Sequence, residues 1–212
     1  MTTVYFIRHG QSAANLTKTF AGHIDVPLTD LGRKQAACTA EYLSRAPLDA
    51  VYSSDLSRAY DTGCAVARLH GLSVTTCADL REIYAGDWEG KTYEVLEATD
   101  SAYRTWVHDI GSATCTNGES VEHLQMRVLA AVQSIVAKHP GETICIVSHG
   151  TPIRALTALL TDTPLTQMHT VPWTSNASVT VAEFETPQQG RIVSQDLHEH
   201  LQDLVSKLPA NV

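Results

Sequence analysis

An α/β fold is expected for this chain: three layers, α/β/α, with a mostly parallel central sheet and a small insertion over one face. Three observations predict it. Short apolar runs alternate with helical patterns along the sequence. Two of those runs, Val4–Ile7 and Thr143–Val147, lead into a histidine followed by glycine, His9-Gly10 and His149-Gly150. The 212 residues, 43% of them hydrophobic, suffice for one substantial core, and no Pro/Gly/Ser-rich linker or charge run divides them. The expected organisation is one domain over 1–212, with the insertion at about 84–118.

Val4–Ile7 reads as a strand, followed by a polar loop. Thr29-Asp30 offers a helix N-cap before Leu31–Leu43, where Ala36, Ala40 and Leu43 share a face. Asp49–Tyr52 is the next strand and leads through Ser53-Ser54 into a helix of about Ser57–Leu69, which Gly71 stops. Leu72–Cys77 is a third strand. Residues 84–118 carry only short helical signals and are rich in Gly, Asp, Trp and Thr, as an insertion would be. Glu119-Ser120 open the clearest helix, in which Val121, Leu124, Val128, Val132 and Ile135 form an amphipathic stripe; Pro140-Gly141 end it. Thr143–Val147 follows as a buried parallel strand, then a helix to about Leu160. Strands over Ser178–Phe184 and Ile192–Ser194 and a last helix, His198–Lys207, close the pattern.

The net charge of −8 and a pI near 5.6 argue against nucleic acid or a membrane surface as partner. Locally converging arginines would still bind an anion. Cysteines 38, 64, 77, 115 and 145 are scattered and contain no CxxC pair, so neither a disulfide framework nor a zinc-thiolate site is expected. The apolar stretch at the N-terminus is shorter than the roughly 7–15 residues of a signal-peptide core, and no run approaches membrane-spanning length. A cytoplasmic protein is expected.

In open α/β sheets the ligand crevice lies outside the carboxyl ends of the strands. The two histidine-bearing tips can deliver both imidazoles into one crevice, and the glycines permit sharp turns and close approach of a ligand. Singly, each motif is more often a turn or a hydrogen-bonded rim residue. Together they suit nucleophilic attack on a phosphoryl group, because a neutral imidazole such as His9 can form a phosphoramidate. Arg8 and Arg58 can clamp the phosphate through bidentate, charge-assisted hydrogen bonds. Asn15 can donate another, and His149, if protonated, adds a third cation. Glu82, after the third strand, can act as general acid and then as base for water, and on residue type alone Asp87, Glu89 and Glu94 compete with it.

Other polar residues have plainer readings. His198 and His200 are two apart and would point different ways on a helix, so an exposed terminal helix is expected rather than a ligand pair. His70, His108, His123 and His139 are expected at the surface. Tyr93, Tyr103 and Trp106 either line a substrate pocket or pack the insertion.

The chain resembles the histidine phosphatase superfamily, the phosphoglycerate-mutase-like group. The matching segments are Arg8-His9-Gly10-Gln11-Ser12 with Asn15, Gly22 through Asp25-Val26-Pro27-Leu28-Thr29, and Gly32 with Gln35-Ala36. They continue with Ser53-Ser54-Asp55-Leu56-Ser57-Arg58-Ala59, Leu80-Arg81-Glu82 with Gly86-Asp87-Trp88-Glu89-Gly90, and Ser148-His149-Gly150. They occur in the family's order and roughly its spacing. The resemblance implies a phosphohistidine at His9, a phosphate pocket of Arg8, Arg58 and His149, and Glu82 as proton donor. It adds Asn15, Gly22 and Gly150 to the substrate-binding positions and places the insertion over the active-site face. Asp87, Glu89 and Glu94 then solvate a loop or cap backbone groups. It implies no metal and no nucleotide cofactor, and a small phosphorylated metabolite as partner.

Mutases of the group carry an adjacent arginine pair in the insertion, whereas here only Lys91, Arg104 and, at its edge, Arg81 occur. Alanine at Ala21 also stands where mutases typically place a threonine. Both departures favour a phosphatase of small phosphomonoesters. The alternatives are a cofactor-dependent phosphoglycerate mutase, a phosphoprotein phosphatase, or a phospho-ligand binding module without turnover. A binding module would usually have lost the nucleophile or an arginine, and this chain retains both.

Overall fold

In a computed structural model describing residues 1–206, the two apolar runs lie inside neighbouring strands, β1 (Thr2–Arg8) and β4 (Thr143–Ser148). They pair in parallel, with Ile7 opposite Val147 and Arg8 opposite Ser148. β2 (Ala50–Ser53) pairs in parallel with the other edge of β4, and β3 (Val74–Thr76) in parallel with β2. β5 (Val179–Thr186) and β6 (Gln189–Leu197) form a hairpin that joins β1 antiparallel. The six-stranded order is β3-β2-β4-β1-β5-β6, a sheet parallel on one side and antiparallel on the other.

Period-2 alternation splits the strand residues between two apolar layers. Val4, Phe6, Ile144 and Ile146 pack with Val128, Val132, Ile135, Ile153 and Leu156 of α6 (Val121–Val136) and α7 (Gly150–Leu160). Ile7, Val51, Cys145 and Val147 pack on the opposite face with Ala40, Leu43, Ala59 and Val66 of α2 (Asp30–Leu43) and α3 (Ser57–His70). The helix ends follow local chemistry. Thr29 and Ser120 accept backbone N–H groups as N-caps of α2 and α6, and Gly71 closes α3 in the left-handed conformation at φ +66°.

Several expectations needed correction. The loop after β1 contains a five-residue helix, α1 (Ala13–Thr17), held by a reciprocal capping box between Ser12 and Asn15. The segment after β6 is not an exposed helix. A 3-10 turn, Glu199–Leu204, lays His200 against α2, where its ring stacks on Tyr42 at 4.6 Å and Nε2 lies 3.0 Å from Thr39 Oγ1. Lys207, the expected end of that helix, lies outside the described residues. His108 and His123 are exposed, as expected, but His70 and His139 are half-buried. His139 bridges Tyr52 Oη at 2.9 Å and Glu142 at 2.7 Å.

Residues 84–118 contain α4 (Tyr93–Thr99) and α5 (Ser101–His108). They close over the carboxyl end of β1 by packing Trp88, Tyr103 and Trp106 around Phe20 of the early loop. Phe20 meets Trp88 and Trp106 edge-on, each at 5.4 Å. Asp100 ties this cluster together, accepting from Trp88 Nε1, Thr116 Oγ1 and the first turn of α5.

Candidate active site

The parallel register of β1 and β4 decides where the two histidines go. Each lies one residue past a paired strand end, and His9 N–H donates to the Ser148 carbonyl at 3.0 Å. The rings meet edge to face with centroids 5.1 Å apart. His9 is 4% exposed and His149 fully buried. His9 Nδ1 lies 2.7 Å from the Gly10 carbonyl. A carbonyl only accepts, so Nδ1 carries the proton and Nε2 keeps its lone pair. His149 Nε2 is 2.9 Å from Ser54 Oγ, and its Nδ1 is buried with no partner among the described residues.

Two buried guanidiniums flank the imidazoles. Arg8 Nη1 donates to the Thr174 carbonyl at 2.6 Å, while its Nε is buried without a protein acceptor. Arg58 donates to the carbonyls of Ile24 and Gly22 at 3.0 and 2.9 Å. Neither pairs with a carboxylate among the described residues, so each remains a desolvated cation. Burial brings Arg58 down to about 10, against the opposing pull of Glu82, Asp25 and Glu89. Burial, then Arg58 and Arg8, hold His9 well below its ordinary value. Burial and Arg58, with His9 and Arg8, do the same at His149. Both imidazoles are therefore neutral at pH 7. The third cation expected at His149 on protonation therefore requires something that raises its proton affinity, such as a nearby negative charge.

These groups open on a cleft of about 470 Å³, its open mouth included. Arg8, His9, Asn15, Gly22, Arg58, Glu82 and Gly150 all line it, and His149 backs His9. Glu82 Oε1 accepts from Ile83 N at 2.8 Å and Oε2 from Thr151 N at 3.3 Å. Its own carbonyl accepts from His23 Nε2 at 2.9 Å and Arg127 Nη2 at 3.3 Å, fixing the loop that presents the carboxylate. Asn15 Oδ1 accepts from Ser12 and from Asn176 Nδ2, which leaves its Nδ2 for the cleft. Gly22 is left-handed, φ +51°, and a Cβ there would collide with Glu89 Oε1. A Cβ on Gly150 would lie 3.2 Å from Arg8 Cζ.

None of the competing carboxylates lines the cleft. Glu89 caps the backbone of His23 and Ala85, Asp87 accepts from Asn117, and Glu94 is exposed. Tyr93 and Trp106 line the cleft, and Tyr103 packs behind them. Sequence reasoning missed Thr151, Trp173, Thr174 and Asn176. Thr151 and Thr174 act through backbone atoms, which leave no side-chain signature. Asn176 precedes its strand rather than following it, and it reaches the site because β5 runs antiparallel to β1, which puts the start of β5 beside the end of β1. Among the described residues no group of three or more His, Cys, Asp or Glu side chains could hold a metal ion.

The family model described as the histidine phosphatase superfamily (branch 1) matches residues 4–196. The phosphoglycerate mutase-like protein 4 of Arabidopsis thaliana is 40% identical over 157 residues, 72% of this chain and 68% of that protein. Phosphoserine phosphatase 1 of Hydrogenobacter thermophilus is 32% identical over 189 residues, 87% and 88% of the two chains. The chain spans about half the length of the mycobacterial relatives it matches at 35% identity. Among solved structures, Bacillus stearothermophilus YhfR superposes with a TM-score of 0.91 at 33% identity, covering 95% of this chain and 100% of its own. This chain belongs to the histidine phosphatase superfamily, and it is a phosphomonoesterase of that family.

Proposed function

We propose that this enzyme hydrolyses small phosphomonoesters through a covalent phosphohistidine at His9. The observation that carries the reading is the contact of His9 Nδ1 with the Gly10 carbonyl, which reserves Nε2 for attack between Arg8 and Arg58. The Nε2 lone pair attacks phosphorus, and the bond to the leaving oxygen breaks as that oxygen takes a proton from Glu82. Water then attacks the phosphohistidine and gives its proton to the Glu82 carboxylate. Cleavage of the P–N bond returns neutral His9 and inorganic phosphate. Arg8 and Arg58 stabilise charge on the equatorial oxygens throughout. The bound dianion draws a proton onto His149, whose unpartnered Nδ1 becomes a further donor.

Water, not a second substrate hydroxyl, accepts the phosphoryl group, because residues 84–118 carry no adjacent arginine pair to retain a phosphoglycerate. The whole chain works as one domain, with residues 84–118 as the roof of the cleft. Five free cysteines support a reducing, cytoplasmic setting. The test is to quench turnover of a labelled phosphomonoester and map the label. An acid-labile, base-stable phosphoenzyme on His9 is expected, and label on another residue overturns the assignment.

A further inference from the structure

The phosphate pocket uses the floor of the cleft and leaves its upper walls unexplained. Four aromatic rings stand in those walls beside Ser12, Thr19 and Ala21: Tyr93 and Trp173 are half-buried, and Phe20 and Trp106 line the cleft while almost wholly buried. Among the described residues, the charged side chains lining the cleft are Arg8, Arg58 and Glu82, all taken up by the phosphate and the proton transfer. The nearby cations are held away from it. Arg81 pairs with Asp55 through two bonds of 2.7 and 2.6 Å, and Lys91 and Arg104 are exposed. Arg154 lies against the Trp173 ring at 4.4 Å, with Nε and Nη2 bound to the carbonyls of Val171 and His169.

Resting on the phosphatase reading above, we propose that Tyr93 and Trp173 form a leaving-group subsite for uncharged alcohols with a flat apolar body. A leaving group that carries a carboxylate, as phosphoserine does, would meet ring faces and the Glu82 carboxylate there, with no cation to neutralise it. An apolar ring would bury surface against two rings that already stand in place. Among the described residues the Tyr93 hydroxyl has no hydrogen-bond partner, and the charges of both Arg8 and Glu82 reach it, so it also offers a polar contact at the junction of the two compartments.

The experiment compares kcat/KM for benzyl phosphate, O-phosphoserine and 3-phosphoglycerate, alkyl esters whose bonds to phosphorus are similarly hard to break. Benzyl phosphate should lead by about tenfold or more, the range in which apolar pockets discriminate. Trp173→Ala should cut that ratio roughly fivefold through KM. Tyr93→Ala, at the first turn of α4 and away from Arg154, repeats the test should loss of Trp173 disturb its loop. Phosphoserine or 3-phosphoglycerate turned over as well as benzyl phosphate, through a His9 phosphoenzyme, overturns the subsite and leaves the phosphatase standing. A ratio unmoved by both variants does the same. If no ester forms a phosphoenzyme, the phosphatase reading fails and the subsite falls with it.

Discussion

His9 and His149, brought together by two parallel strands, face each other edge-on at 5.1 Å, and both are kept neutral by burial and by Arg58. Their pairing makes stability depend on pH. In the unfolded chain each binds a proton near pH 6.5, and in the folded protein only well below that. The unfolded state thus binds more protons in this window, so stability is full above about pH 6.5 and is lost as pH falls below it. The melting temperature of the free protein should fall between about pH 6.5 and about pH 5. Saturating tungstate should reduce the fall, because an oxyanion favours charge on His149. A His9→Gln/His149→Gln variant with an equally steep fall would place the effect elsewhere.

Arg58 presents a fork fixed by two carbonyls, which lysine cannot reproduce. Arg58→Lys should lower kcat by roughly 10²-fold or more, by analogy with loss of a single transition-state donor. Steady-state rates within a few-fold of the parent would show that one point charge suffices.

Glu82 is expected to matter in proportion to how poor the leaving group is. Glu82→Gln should slow alkyl phosphates severely and spare formation of the phosphoenzyme from p-nitrophenyl phosphate, whose leaving oxygen needs little protonation. Burst kinetics on both substrates decide it. Equal losses in the phosphorylation step would make Glu82 a structural residue.

Gly150 gives Arg8 its room. A methyl at position 150 would press on the guanidinium at 3.2 Å from Cζ and 3.4 Å from Nε and Nη1. Gly150→Ala should leave the fold intact and cost roughly tenfold in kcat/KM through a displaced Arg8. Unchanged kinetics would mean that the guanidinium shifts without consequence.

Much of this arrangement was legible in the sequence, and the limits are physical. The stripe from Val121 to Ile135 reads directly as α6, and the Arg8-His9-Gly10 and Ser148-His149-Gly150 segments locate the site, because buried strands and tight turns demand particular residue types. α1 was invisible: five residues held by one capping box show no periodicity. A mostly parallel sheet is legible, but the direction of β5 and β6 is not, because they differ from the parallel strands in partners, not in composition. The burial of His200 depends on a tertiary contact with Thr39 and Tyr42 that local pattern does not encode. The supports of the arginines are carbonyls of Gly22, Ile24 and Thr174, and any residue supplies a carbonyl.

The strand order has a consequence for how the enzyme is made. β1 precedes the other five strands in the chain, yet it lies between β4 and β5; Asn176 Nδ2 donates to the His9 carbonyl just beyond it, and Gln35 accepts from Gln11 N–H and donates to the Leu204 carbonyl. Until β4 and β5 have been made, the nucleophile's strand has neither neighbour, and its apolar residues lack their native cover. Shortened or stalled chains lacking β5 would therefore carry His9 and both arginines and still be inert. Activity would switch on only when β4 and β5 close around β1, which makes catalysis itself a readout of sheet assembly.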